Sequence, residues 1–198
     1  NFKRTVLNGV STEEVGQYSE KEFETGPARV WGTTVKGSWS RIEPGDYLIF
    51  YREGRYDHAA KVTGTEKNEE LGRELWPNFD EDPWNCIIYL EEPVDLGFDS
   101  ATLHDWAGYE VTHTQNFGPL SDMGLGAVRA QFGSVEGFIQ TDHESGSDPS
   151  HGQVTLSESG GKENIPEIDI NTDPDITIPD SILSGLYFPN GLEEQILD

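Results

Sequence analysis

Aromatic side chains crowd one stretch of the chain: Trp31, Trp39, Phe50, Tyr51, Tyr56, Trp76, Trp84 and Tyr89 all fall within residues 31–89. Large rings fill the core of a small β-domain, and that use accounts for most of them. A ring can also stack on an unstacked nucleobase, which is worth roughly 1–3 kcal/mol per base. Strand alternation separates the two uses. In the run Arg29-Val30-Trp31-Gly32-Thr33, Val30 and Gly32 point one way and Trp31 the other, which lets Trp31 line a cavity. Trp84 follows Pro83 and opens its strand, at an end where a ring can stand at a pocket mouth.

An overlapping stretch carries eight of the chain's 13 basic residues. Residues 29–73 hold Arg29, Lys36, Arg41, Arg52, Arg55, Lys61, Lys67 and Arg73 against seven acids, while the whole chain has a net charge of -24 and a pI near 4.3. Global acidity opposes a nucleic-acid partner, because binding draws on neutralised phosphates. With only six lysines, the composition is also that expected of a protein from a salt-saturated cytoplasm. At 1 M salt the Debye length is about 3 Å, so remote carboxylates would hardly repel DNA. A halophilic origin is therefore expected.

Other chemistries find less support. Asp57-His58 and the pair His143 and His151 lack the second pair that metal-ligand spacing requires, and are expected to be solvated. Asp169, Asn171, Asp173 and Asp180 match part of a calcium loop, but Pro174 stands where a flexible glycine is needed. GxxxxGK[ST], GxSxG and HExxH are all absent, so no catalytic residue is assigned. The single cysteine, Cys86, excludes an intramolecular disulfide. No apolar run approaches the roughly 18 residues of a membrane span, and no signal peptide is visible, so a cytoplasmic location is expected. A chain opening on Asn1 reads as a piece of a longer protein.

The elements that must position these residues are mostly strands. Ser11-Thr12-Glu13-Glu14 is a capping-box pattern and starts a polar helix over 11–24. Short β-rich runs follow at 28–35, 46–51, 56–62 and 84–90. Pro44-Gly45 fits a type II turn and Glu53-Gly54 a hairpin tip. Residues 68–76 form a short amphipathic helix, and 121–140 read as one or two helices broken around Gly133. From 141 to 180 the chain is Ser, Gly, Asp, Glu and Pro, the composition of a disordered acidic linker. Hydrophobic residues return only at 182–197.

The runs RVWGTT, WSRIEPGDYLIFYREGRYDHAAKVTGT and NEELGRELWPNFDEDPWNCIIYLEEPV resemble an EVE-type domain of the PUA-like superfamily, related to YTH domains. GYEVTHTQNFGPLSD and FGSVEGFI resemble its helical remainder. The resemblance implies an α+β fold, a small mixed β-barrel flanked by helices. Its domain would span 28–140, after a helical lead-in at 1–27 and before the linker at 141–180. It also implies an aromatic cage for a modified base. Trp31, in a VWST-like strand with Gly32 at the serine position, and Trp84, ahead of Leu90-Glu91-Glu92-Pro93, match the cage tryptophans. Tyr51 or Trp39 would close the pocket.

GLYFPNGLEEQILD at 185–198 resembles the opening of the AAA+ GTPase module of the McrB family of modification-dependent restriction proteins, so 181–198 would begin such a module. These resemblances imply a module that binds a methylated base in DNA by flipping it into the cage. Lys36, Arg41, Arg52, Arg55 and Arg73 would grip the backbone. The fragment itself would be no enzyme and hold no cofactor. GTP and Mg would belong to the missing motor, which would also contact an McrC-like nuclease subunit. Modified RNA is the alternative ligand. Two readings from other classes are an ASCH-like hydrolase of modified nucleosides, using Lys61 with Asp57, and a protein-interaction module whose cage is only core.

Overall fold

Glu53 and Gly54, with φ of 49° and 86°, make a two-residue turn of the kind that matches strand twist. It folds strand β2 (Tyr47–Arg52) back on β3 (Arg55–Lys67), with Arg52 opposite Arg55. The computed structural model describes residues 1–23, 26–79, 83–110 and 117–143, with the backbone of 186–188. The linker beyond residue 143, His151, the partial calcium loop at 169–180 and all but three residues of the expected AAA+ start lie outside the described residues.

The long strand β3 organises the fold. Its first half pairs antiparallel with β2 and with β5 (Val94–Asp99); its second half pairs with β4 (Cys86–Leu90), after a register shift between Val62 and Gly64. Such shifts bend and twist a strand, which lets β3 serve two layers. β1 (Arg29–Thr33) lies outside β4, so the order runs β1-β4-β3-β2. It continues through β7 (Leu186–Phe188), parallel to β2, to β6 (Gly118–Pro119). No pairing among the described residues joins β1 to β6, so this is an open, mostly antiparallel sheet where the resemblance implied a barrel.

Helices cover both faces. Asn68 caps α3 (Glu69–Leu75), its side chain accepting from Leu71 N–H. Asp99 and Ser121 cap α4 (Ser100–Ala107) and α5 (Asp122–Phe132) in the same way. Gly133, at φ 79°, breaks the expected helical stretch, and α6 (Val135–Gln140) follows. The helix expected over 11–24 is only α1 (Thr12–Gly16), capped by Ser11. Three residues past its end, Ser19 donates to Glu66 at 2.6 Å. A four-residue helix, α2 (Lys36–Trp39), follows β1.

Three buried clusters result. One joins Tyr47, Ile49, Tyr56 and Leu96 to the faces of α4, α5 and α6. A second holds Phe2, Val6, Trp31, Leu48, Phe50 and Ile88, and the third holds Val10, Val15, Val30, Leu71, Leu75, Trp76, Ile87 and Tyr89. Arg29 ties the N-terminal segment to the sheet by donating to Val6 O, Leu7 O and Glu92. The lead-in thus packs into the same core as the strands.

Candidate nucleic-acid interface

β1 is buried on both faces, and this decides where its tryptophan goes. Val30 enters the third cluster and Trp31 the second. Trp31 is 1% exposed, with Phe50 at 5.5 Å, Phe2 at 6.4 Å and Trp84 at 5.5 Å between ring centroids. The expected open hollow beside Trp31 is therefore not present in this conformation. Alternation does place it opposite Val30, but the second face is covered by Phe2 and Val6 of the N-terminal segment, whose role the strand pattern did not reveal.

Trp84 is half-buried and packs against both the second and third clusters, at their seam. On one side lies Trp31, tilted by 53°. On the other lies Trp76, with centroids 5.4 Å apart and planes 42° apart. Trp76 follows α3 and is itself 1% exposed. Its Nε1–H has no hydrogen-bond partner among the described residues. Two glycines make room for this row of rings. A Cβ on Gly32 would lie 2.6 Å from Trp76 Cζ3 and 2.9 Å from Trp84 Cβ; one on Gly72 would lie 2.6 Å from the Trp84 carbonyl oxygen. The glycine at position 32 is thus explained by the approach of Trp76.

The other proposed cage residues part company. Trp39 is half-buried at the edge of the second cluster, where its Nε1–H donates to Ile87 O at 3.0 Å. Tyr51 packs against the first cluster, edge-on to Tyr56 at 5.8 Å, while its neighbour Phe50 faces Trp31. Tyr51 therefore sits on the opposite face of β2 from the tryptophans and cannot close a pocket between them.

The five expected backbone contacts, Lys36, Arg41, Arg52, Arg55 and Arg73, are all exposed but do not ring one site. Arg52 and Arg55 flank the β2–β3 turn, at the opposite end of β3 from Lys67, about 40 Å away along the strand contour. Arg52 is held by Asp57 at 2.6 Å, Arg55 donates to Gly97 O, and Arg73 pairs with Glu69 at 2.8 Å on its own helix. Lys36, on α2 with Trp39, and Lys67, which sequence reasoning passed over, both lie within electrostatic range of Cys86. Lys67 pairs with Cys86, two residues after Trp84. Burial pushes the Cys86 thiol up while the Lys36 and Lys67 ammonium groups pull against it. Trp76 was also passed over; its place between Gly72 and Trp84 was legible only once α3 was seen to pack on β4.

Beside this site lies a half-buried polar knot. The Glu66 carboxylate accepts from Ser19 Oγ, from Tyr89 Oη at 2.5 Å and from Asn68 Nδ2 at 2.9 Å. Burial alone would raise Glu66, but these bonds outweigh it and hold the carboxyl below its usual value. Tyr89 is pushed far up, by burial first and then by Glu66.

Remaining sequence candidates fall apart on geometry. Asp57 is engaged by Arg52, and Lys61 lies over the Tyr47 ring at 5.8 Å. Four residues apart on a strand, Asp57 and Lys61 stand about 13 Å from each other, too far for a reactive pair. His58 bonds Asp95 at 3.0 Å and stacks on Phe2. His143, expected in solvent, is half-buried, packs on Phe98, Phe132 and Phe138, and bonds Phe138 O at 2.8 Å. Among the described residues no three His, Cys, Asp or Glu side chains group to hold a metal ion, and no helix is long and apolar enough to cross a membrane.

No family model and no curated protein matches this sequence. One solved structure is similar. It is the N-terminal domain of Thermococcus gammatolerans McrB bound to m5C DNA, 15% identical, with a TM-score of 0.41 over 55% of this chain and 75% of that one.

Proposed function

We propose that residues 28–140, together with the N-terminal segment packed into their core, form a DNA-binding module that distinguishes a methylated base by stacking it within the tryptophan row. The observation that carries this reading is the half-buried Trp84, in ring contact with two sealed indoles and two residues before Cys86, whose thiol feels the exposed Lys36 and Lys67. Flipping a base from the duplex costs a few kcal/mol. Two aromatic contacts at roughly 1–3 kcal/mol each return that much. A methyl group filling a small apolar niche adds about 1–3 kcal/mol of preference.

Lys36 and Lys67 supply the sequence-independent grip. Arg41, Arg52, Arg55 and Arg73 extend it only if the nucleic acid tracks around the domain. No catalytic step is assigned to this module. The tail at 185–198 supports, by its resemblance, a parent protein in which a GTP- and Mg-dependent AAA+ motor follows the reader and contacts an McrC-like nuclease subunit. The acidic composition supports assays at molar salt. Titrating plain duplexes and duplexes carrying 5-methylcytosine or N6-methyladenine, with methylated RNA as competitor, tests the proposal. Preference for one mark supports it, and equal binding of all duplexes refutes it.

The burial of Trp31 favours a second reading, in which the three indoles are core and the domain binds protein. On that reading the titration shows no dependence on methylation.

A further inference from the structure

The tryptophan row has an occupant of its own. Trp84 sits between the environments of Trp31 and Trp76, touching both rings at 5.5 Å and 5.4 Å. Its neighbours are sealed, at 1% exposure each, while Trp84 alone reaches the surface. An indole is a flat fused bicycle with the outline of a nucleobase. The backbone carrying it is fixed: Gly72 packs against the Trp84 carbonyl and Gly32 against its Cβ. The ring can therefore leave only by rotation about its own side-chain bonds. Trp76 Nε1–H, buried without a partner among the described residues, is a donor left unspent. Buried donors of that kind usually find an acceptor, and nucleobases carry carbonyl and ring-nitrogen acceptors.

We propose that Trp84 is a placeholder: in the free protein its indole fills the slot that a flipped base takes, and it must swing outward for the base to bind. This rests on the base-reading function proposed above, and assigns Trp84 the role of a gate where the cage resemblance made it a wall. A self-filled slot lowers apparent affinity by the fraction of molecules that are open. Each ring pair that opens is worth about 2–12-fold in an equilibrium constant, so the closed form dominates.

The test uses the full chain with a plain duplex and one carrying the preferred methylated base, at molar salt. Trp84→Ala should bind the methylated duplex roughly tenfold more tightly than the parent does. In the parent labelled with fluorotryptophan, the fluorine signal that Trp84→Phe removes should move to a solvent-exposed position when methylated DNA is added. That second readout stands even if Trp84→Ala does not fold. If Trp84→Ala instead binds the methylated duplex more weakly than the parent, or the signal becomes more shielded from solvent, Trp84 is a wall on the base. That result overturns the gate and leaves the reader intact. A parent that binds both duplexes alike overturns the reader, and the gate with it.

Discussion

Gly32→Ala sets two known effects against each other. In open space, alanine in place of glycine stabilises a protein by about 0.4–1 kcal/mol, by narrowing the unfolded ensemble. At position 32 the added Cβ meets Trp76 Cζ3 at 2.6 Å, Trp76 Cη2 at 2.8 Å and Trp84 Cβ at 2.9 Å. Carbon atoms prefer about 3.5–4.0 Å, so something must shift by close to 1 Å. None of these atoms is the loose end of a flexible chain. Two belong to an indole that is 1% exposed, and the third is fixed to the Trp84 backbone. Overpacking of this kind costs about 1–3 kcal/mol. Steric cost wins, and the net expectation is a loss of about 1–2 kcal/mol. For a domain of this size each kcal/mol is worth roughly 3–5 °C, so Tm should fall by about 3–10 °C in a thermal melt at molar salt. The control is Gly126→Ala, within α5, where an added Cβ meets nothing within 4 Å. There the same substitution should be neutral or stabilising, by up to about 1 kcal/mol. A Gly32→Ala protein that melts at or above the parent would refute the close packing of the tryptophan row.

Other expectations follow from the same geometry. Glu66 is held below its usual pKa, so the stability it contributes is present in full above its unfolded pKa of about 4.3 and lost as pH falls through the lower folded value. Denaturant titrations of the parent and Glu66→Gln should accordingly differ most near neutral pH and converge in acid; a constant gap down to pH 2 would contradict the assignment. Lys36→Ala with Lys67→Ala should weaken plain and methylated duplexes alike and lower the salt slope by about one for each phosphate no longer neutralised. Arg52→Ala, at the far hairpin tip, should do less than that pair in the same anisotropy titration. Trp76→Phe removes an N–H that has no partner among the described residues of the free protein. Chemical denaturation should therefore show no hydrogen-bond penalty, while preference for the methylated duplex drops.

How much of this was legible beforehand depended on the range of the interaction. Glu53-Gly54, Gly133 and the cap at Ser11 act over two to four residues, and the structure has the turn, break and cap that they imply. β5 and α4 carried readable signals, in the alternation of Val94, Leu96 and Phe98 and the cap at Asp99, yet lay between the stretches that drew attention. The site was harder, because alternation tells which side of a strand a ring occupies and not what covers that side. Nothing in β1 names Phe2 and Val6, some 25 residues earlier, as the lid over Trp31. The cations were grouped by nearness in sequence, and the long strand β3 carried Arg55 and Lys67 to opposite ends. Lys67 and Trp76 were present in the same runs but owe their position to strand register and to α3 packing on β4.

The central claim, that the tryptophan row reads a methylated base, is tested most directly by competing one methylated duplex against its unmethylated twin for the parent chain and for Trp31→Ala. The account predicts that the parent favours the methylated duplex by about tenfold or more and that a folded Trp31→Ala protein binds both equally. A variant that keeps the parent's preference, or a parent that has none, would contradict it.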